Sequence, residues 1–139
     1  QQPDLRAVRQ QVRETHSQVE LQAVALRELE AKYLAGPALR EALGRLRTAW
    51  PQLRTRLRAQ LIGFTELHAL LRRAGAPCDP AAIGIDWPRL RRTYLAARQI
   101  RRRFTVLDLA ALTGLLPECL DRLFASAGPW HAENVLSPE

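Results

Sequence analysis

Between Arg89 and Arg103 the chain carries seven arginines and no acidic residue. Cations at that density are suited to phosphate: guanidinium groups grip phosphate oxygens in pairs, and the affinity falls with salt. Arg98, Arg101, Arg102 and Arg103 are the candidate anion contacts, with Thr105 and Asp108 directly after them. The same run also fits the solvated outer face of a bundle helix. With no acid in the run, no i, i+4 ion pair forms inside it, and such a helix repels itself slightly. On a helical wheel Leu90, Thr93, Tyr94, Ala97, Ile100 and Phe104 share one side, and Arg101 falls inside that apolar arc. An arginine there needs a charged or carbonyl partner, and Asp108 or another acid is the expected one.

Other residues able to do chemistry are scattered. His16, His68 and His131 lie far apart and form no HExxH or HxxxH pair. His16 and Glu20 have i, i+4 spacing, which suits a metal ligand pair or, more simply, a surface pair. His131-Ala-Glu133 matches half of a deaminase zinc signature, but no PCxxC accompanies it. Cys78 and Cys119 are too few for a disulfide framework and do not form a CxxC. There is no Gly-rich phosphate loop after a strand and no GxSxG motif. The residues alone therefore define no catalytic, cofactor-binding or metal site.

The spacing predicts an all-α, multi-helix bundle of roughly six to eight helices joined by short Gly/Pro loops. Asp86 is a suitable N-cap and Pro88 suits a first turn, so a helix is expected from Asp86 to Arg103. Thr105-Val-Leu-Asp108 has capping-box spacing and opens a second helix, which Gly114 closes before Pro117 starts a third. Upstream, Pro3 and Asp4 start a helix striped by Leu5, Val8, Val12, Thr15 and Val19, with Leu26, Leu29 and Tyr33 forming another stripe. Ser17 to Glu20 is spaced as an internal capping box, so this region is one long helix or two. Gly36-Pro37 is a break, Ala38 to Trp50 a short helix, and Pro51 a restart for Leu53, Leu57 and Leu61. Thr65 to Ala74 is a further helix, with Gly75 at C′. Asp79-Pro80 caps one short turn ending at Gly84. Residues 1–128 are thus expected to form one helical domain, and 129–139 a partly loose tail.

The 139 residues carry 20 arginines, a single lysine (Lys32), 14 acids and a net charge of +7, so anionic partners fit, including weak non-specific binding to nucleic acid. Hydrophobic residues make up 47% of the chain, enough for a core. No apolar run approaches the length of a membrane span, and no secretory leader opens the chain, which points to no membrane partner and to a reduced, cytoplasmic compartment. The lack of any methionine suggests a processed product or a fragment beginning in mid-protein.

Two functions compete. Leu109, Ala110, Gly114, Leu115, Leu120 and Leu123 follow the pattern of a repressor-type helix-turn-helix, which would make a basic DNA-binding or regulatory module. The would-be recognition helix, however, offers Glu118, Asp121 and Arg122, a poor face for a major groove.

The other function comes from a resemblance. Ala74-Gly-Ala-Pro77, then Pro80 and Ile83-Gly-Ile85, then Arg101-Arg-Arg-Phe-Thr-Val-Leu-Asp-Leu109 stand in an order and spacing that resembles the C-terminal helical domain of the sn-glycerol-1-phosphate dehydrogenase family. That family belongs to the iron-containing alcohol dehydrogenase and glycerol dehydrogenase superfamily. Trp50-Pro51 and the leucines after it are also similar, so the likeness covers roughly residues 50–116. It implies an oxidoreductase of phospholipid biosynthesis. In a complete member, NAD(P) is held by a preceding nucleotide-binding domain and a divalent metal, zinc or nickel, by one Asp and two His. None of those motifs is present here. The resemblance implies a non-catalytic helical wall of the substrate cleft, partnered by the missing nucleotide-binding domain or by a second copy as a homodimer. The apolar stripes of the first thirty-odd residues, through Val12 and Val19, are the expected self-contact.

Overall fold

The structure is a computed structural model and describes residues 4–130. Among these there are seven α-helices, one 3-10 turn and no strand. The helices are α1 (Leu5–Thr15), α2 (Val19–Glu30), α3 (Gly36–Gln60), α4 (Phe64–Arg73), α5 (Trp87–Ala97), α6 (Val106–Leu112) and α7 (Leu116–Phe124), with the 3-10 turn at Pro80–Ile83. The all-α bundle expected from the apolar spacing is what forms.

Local chemistry explains most boundaries. Asp4 caps α1 by accepting from the Ala7 N–H at 2.8 Å, and Asp86 caps α5 by accepting from Arg89 N–H at 2.6 Å. The α6 capping box forms as expected. Gly114, at φ 76°, ends α6 in a Schellman turn: Leu115 N–H bonds to the Ala110 carbonyl and Gly114 N–H to the Ala111 carbonyl. Gly75 closes α4 in the same way, through Ala76 to Leu71 and Gly75 to Arg72. Asp79 caps the 3-10 turn, which Gly84 ends at φ 71°.

Of the two arrangements left open for the first helical region the structure takes the second, while the Ser17 cap, the restart at Pro51 and the end of α5 at Arg103 are corrected. The first helical region is two helices, broken at His16–Gln18, and Ser17 makes no cap; Gln18 holds the N-cap position without a side-chain bond. The turn is fastened instead by the Gln22 amide, which donates to the His16 carbonyl at 2.6 Å. The break puts Val19 outside the α1 stripe, where it is 72% exposed, and leaves His16 and Glu20 on different elements. Pro51 does not end a helix: α3 runs through it. Leu39, Leu43, Leu46, Trp50, Leu53 and Leu57 keep one phase across the proline, so the apolar stripe outweighs one lost hydrogen bond. Finally, α5 stops at Ala97 rather than Arg103, for reasons given by the site described below.

The buried centre is small. Val8 and Val12 of α1 meet Ala25 and Leu29 of α2, with Leu26 and Tyr33 packed against them. α1 also lies against α5, and α6 against α7, where Leu116 and Leu120 are buried. Trp130 is anchored: its indole N–H donates to the Tyr94 hydroxyl at 2.8 Å, and its ring lies edge-on to Phe64 at 5.7 Å. Gly128 is buried where a Cβ would lie 2.3 Å from the Arg122 carbonyl oxygen, so only glycine fits this turn. The rest of the expected loose tail, and His131 and Glu133 with it, lie outside the described residues. No helix among the described residues is long and apolar enough to cross a membrane.

Candidate functional site

The arginine run leads to a buried charged corner where α2 meets the α5–α6 connection. Asp108, on the first turn of α6, is only 5% exposed. One carboxylate oxygen accepts from the Thr105 N–H and hydroxyl, both at 2.9 Å. The other receives the Lys32 ammonium at 2.8 Å, with the Arg98 guanidinium at 3.8 Å. Lys32 lies just past the end of α2, is 9% exposed, and also donates to the Arg98 backbone carbonyl at 2.5 Å. One turn back, Glu28 takes a forked pair of bonds from the Arg102 guanidinium at 3.0 and 3.1 Å, plus the Arg102 backbone N–H at 3.0 Å.

These contacts explain why α5 ends early. Lys32 claims the Arg98 carbonyl and Glu28 claims the Arg102 N–H, both groups that a continuing helix would direct along its own axis. Two clamps from one end of α2 therefore hold the chain in a turn from Arg98 to Phe104.

The charges are mutually compensated. The hydrogen bond from Arg102 is the main force holding the Glu28 carboxyl down at about 2, helped by Arg27 and the Arg102 charge and opposed by desolvation. Burial pushes the Arg98 guanidinium below its ordinary value, and the Asp108 charge opposes that shift. A cavity of about 20 Å³ adjoins the cluster, walled by Leu29, Tyr33, Phe104 and Leu112 as well as the charged groups. That is room for about one water molecule, and too little for a phosphate ester. Beside the cluster, Gln99 is fully buried and neither amide atom has a protein partner.

Of the six candidate residues, Arg98, Thr105 and Asp108 come together here, and Arg102 binds the adjacent Glu28. Arg101 and Arg103 are exposed and belong to neither clamp. The partner expected for Arg101 is thus corrected: Asp108 serves Lys32 and Arg98, and once the helix ends at Ala97 Arg101 no longer lies in an apolar arc. Arg91 is drawn off to α7, pairing with Asp121 and lying 5.6 Å from the centre of the Phe124 ring. Sequence reasoning missed Glu28 and Lys32. Their i, i+4 spacing reads as an ordinary surface pair, and the available signal was that Lys32 is the only lysine among 21 basic residues.

The α6–α7 hairpin has helix-turn-helix form, but its second helix is electrically engaged: Glu118 pairs with Arg122 at 2.6 Å and Asp121 with Arg91. Among the described residues no group of three His, Cys, Asp or Glu side chains converges. Both cysteines are free thiols, and His68 stacks on Phe64 at 5.7 Å.

A second feature is apolar. Leu61, Ile62, Phe64, Leu67, Leu70 and Leu71, from the end of α3 through α4, are each at least 40% exposed. No protein-family model, curated protein or solved structure matches the chain.

Proposed function

We propose that this chain is a helical scaffold domain resembling that of the sn-glycerol-1-phosphate dehydrogenases, contributing a wall and a contact surface but no catalytic group of its own. The exposed apolar residues from the end of α3 through α4 carry the reading, because six large apolar side chains left exposed within an eleven-residue stretch are the kind of exposure that marks a contact. The residues of the resemblance support it in a second way. Arg98, Arg102, Thr105 and Asp108 serve as architecture, spent on each other and on α2, which suits a motif retained for shape. The partner would be a nucleotide-binding domain, which in a complete enzyme brings NAD(P) and the divalent metal. The excess of arginine supports weak, sequence-blind nucleic-acid binding that fades between about 50 and 200 mM salt.

The test is an enzymatic assay with a binding arm. Given zinc or nickel, NAD(P)H and dihydroxyacetone phosphate, the purified chain is expected to show no turnover. Mixed with the nucleotide-binding half of a glycerol-1-phosphate dehydrogenase, it is expected to form a complex and to lose its binding of an apolar dye. Steady metal-dependent turnover by the chain alone, or no complex with that half, contradicts the proposal.

A further inference from the structure

The long helix α3 carries an apolar stripe that its own fold covers only in part: its five leucines are half-buried and Trp50 is exposed. Leu39, Leu46 and Leu53 alternate with Leu43, Trp50 and Leu57 at spacings of four and three, the two core positions of a heptad. Yet no residue of α3 is buried. Between α3 and the α6–α7 hairpin lies a groove of about 500 Å³. Leu43, Leu46 and Trp50 form one wall, and Val106, Leu109 and Leu115 the other. The stripe continues beyond the groove at both ends, from Leu39 to Leu57, a rise of roughly 27 Å along the helix. A mainly apolar groove extended at both ends by an apolar stripe, with few polar groups to orient a small molecule, suits a helix better than a compact ligand.

Charge selects among occupants. Arg40, Arg47 and Arg54 each directly follow a leucine of the stripe, which places all three along one rim, in the flanking position that sets partner choice in helix pairs. None of the three is in an ion pair among the described residues, and the only acid on α3, Glu41, pairs with Arg45. A second copy of α3 is a poor occupant. Antiparallel, its arginines would oppose these arginines; parallel, it would offer Ala42, Ala49 and Arg56. We propose that the α3/α6–α7 groove docks an amphipathic helix of a partner protein, seated by leucine-like side chains and flanked by carboxylates that pair with Arg40, Arg47 and Arg54. This stands apart from the dehydrogenase reading, which rests on the exposed apolar residues from the end of α3 through α4.

The probe is a labelled three-heptad synthetic peptide with leucine at both core positions and glutamate at both flanking positions, titrated with the full chain by fluorescence anisotropy. A lysine-flanked peptide of the same core is the control. The glutamate peptide is expected to bind at least ten-fold more tightly than the lysine one at low salt, with the margin shrinking as salt rises. Arg40→Glu, Arg47→Glu and Arg54→Glu together should reverse the preference. Val106→Asp should weaken the glutamate peptide at least ten-fold; at 74% exposure this position tolerates a charge without loss of fold. Equal affinity for the two peptides, or binding indifferent to Val106→Asp, overturns the proposal. So does tighter association with phosphatidylserine vesicles than with the glutamate peptide, which would make α3 a lipid-surface helix.

Discussion

Lys32 is the only lysine in the chain, and it is spent where a flexible point charge reaches what a forked guanidinium would not: a buried carboxylate and a backbone carbonyl together. Lys32→Met removes the nearest cation from a carboxylate that is almost fully buried. The expected loss is about 3 kcal/mol, at the low end for a broken buried pair because Thr105 and Arg98 remain. A urea midpoint equal to wild type would show that the cluster does not hold the fold. Glu28 makes a pH prediction. Its folded value, about 2, lies below the ordinary 4.5, so the pairing contributes stability above the ordinary value. That contribution is lost as pH falls through the window from 4.5 to about 2. Thermal unfolding of Glu28→Gln against wild type should show a gap that is widest near neutrality and closes across that window; a constant gap contradicts the assignment. At this scale the caps were legible, since Asp4, Asp86, Thr105 and Asp108 act on neighbours within three residues. The clamps were not, because Glu28 and Arg102 are 74 residues apart and no local pattern announces such a pair.

The elements show how tertiary contacts and stripe continuity override punctuation. Pro51 reads as a helix break, but the apolar phase from Leu39 to Leu57 passes through it unchanged, and that continuity was the signal for one helix. Within a continuous α3, Pro51→Ala restores a bond to the Arg47 carbonyl and relieves the ring clash. The expected gain is about 1–3 kcal/mol in thermal unfolding, with slower amide exchange around residue 51. Were residue 51 the first position of a separate helix, the substitution would be neutral or destabilising. The α5 boundary failed in the opposite sense. Nothing between Arg98 and Arg103 breaks a helix locally, and the chain leaves it because Lys32 and Glu28 hold its carbonyl and N–H elsewhere. Glycine ends were readable because Gly75, Gly84 and Gly114 adopt the left-handed backbone that side chains disfavour.

For the whole molecule, the all-α class and the order of helices followed from periodicity, but the contact surface did not. A sequence shows which residues are apolar and not which of them the fold leaves uncovered. Val12, expected at a seam between copies, is completely buried against α2, so a charge there would unfold the hairpin rather than report on association. Val19, Leu21 and Val24 remain exposed on α2, while six large apolar residues are exposed from the end of α3 through α4. In the absence of a partner domain, those six should drive the chain onto itself in a concentration-dependent way. The most direct measurement is light scattering across a dilution series of the wild-type chain and of Leu67→Glu/Leu71→Glu, with helicity followed in parallel. A wild-type mass that rises with concentration, and a variant that stays monomeric with unchanged helicity, is the predicted result. A wild-type chain that is strictly monomeric at the highest concentration would contradict the claim that α4 presents a contact surface.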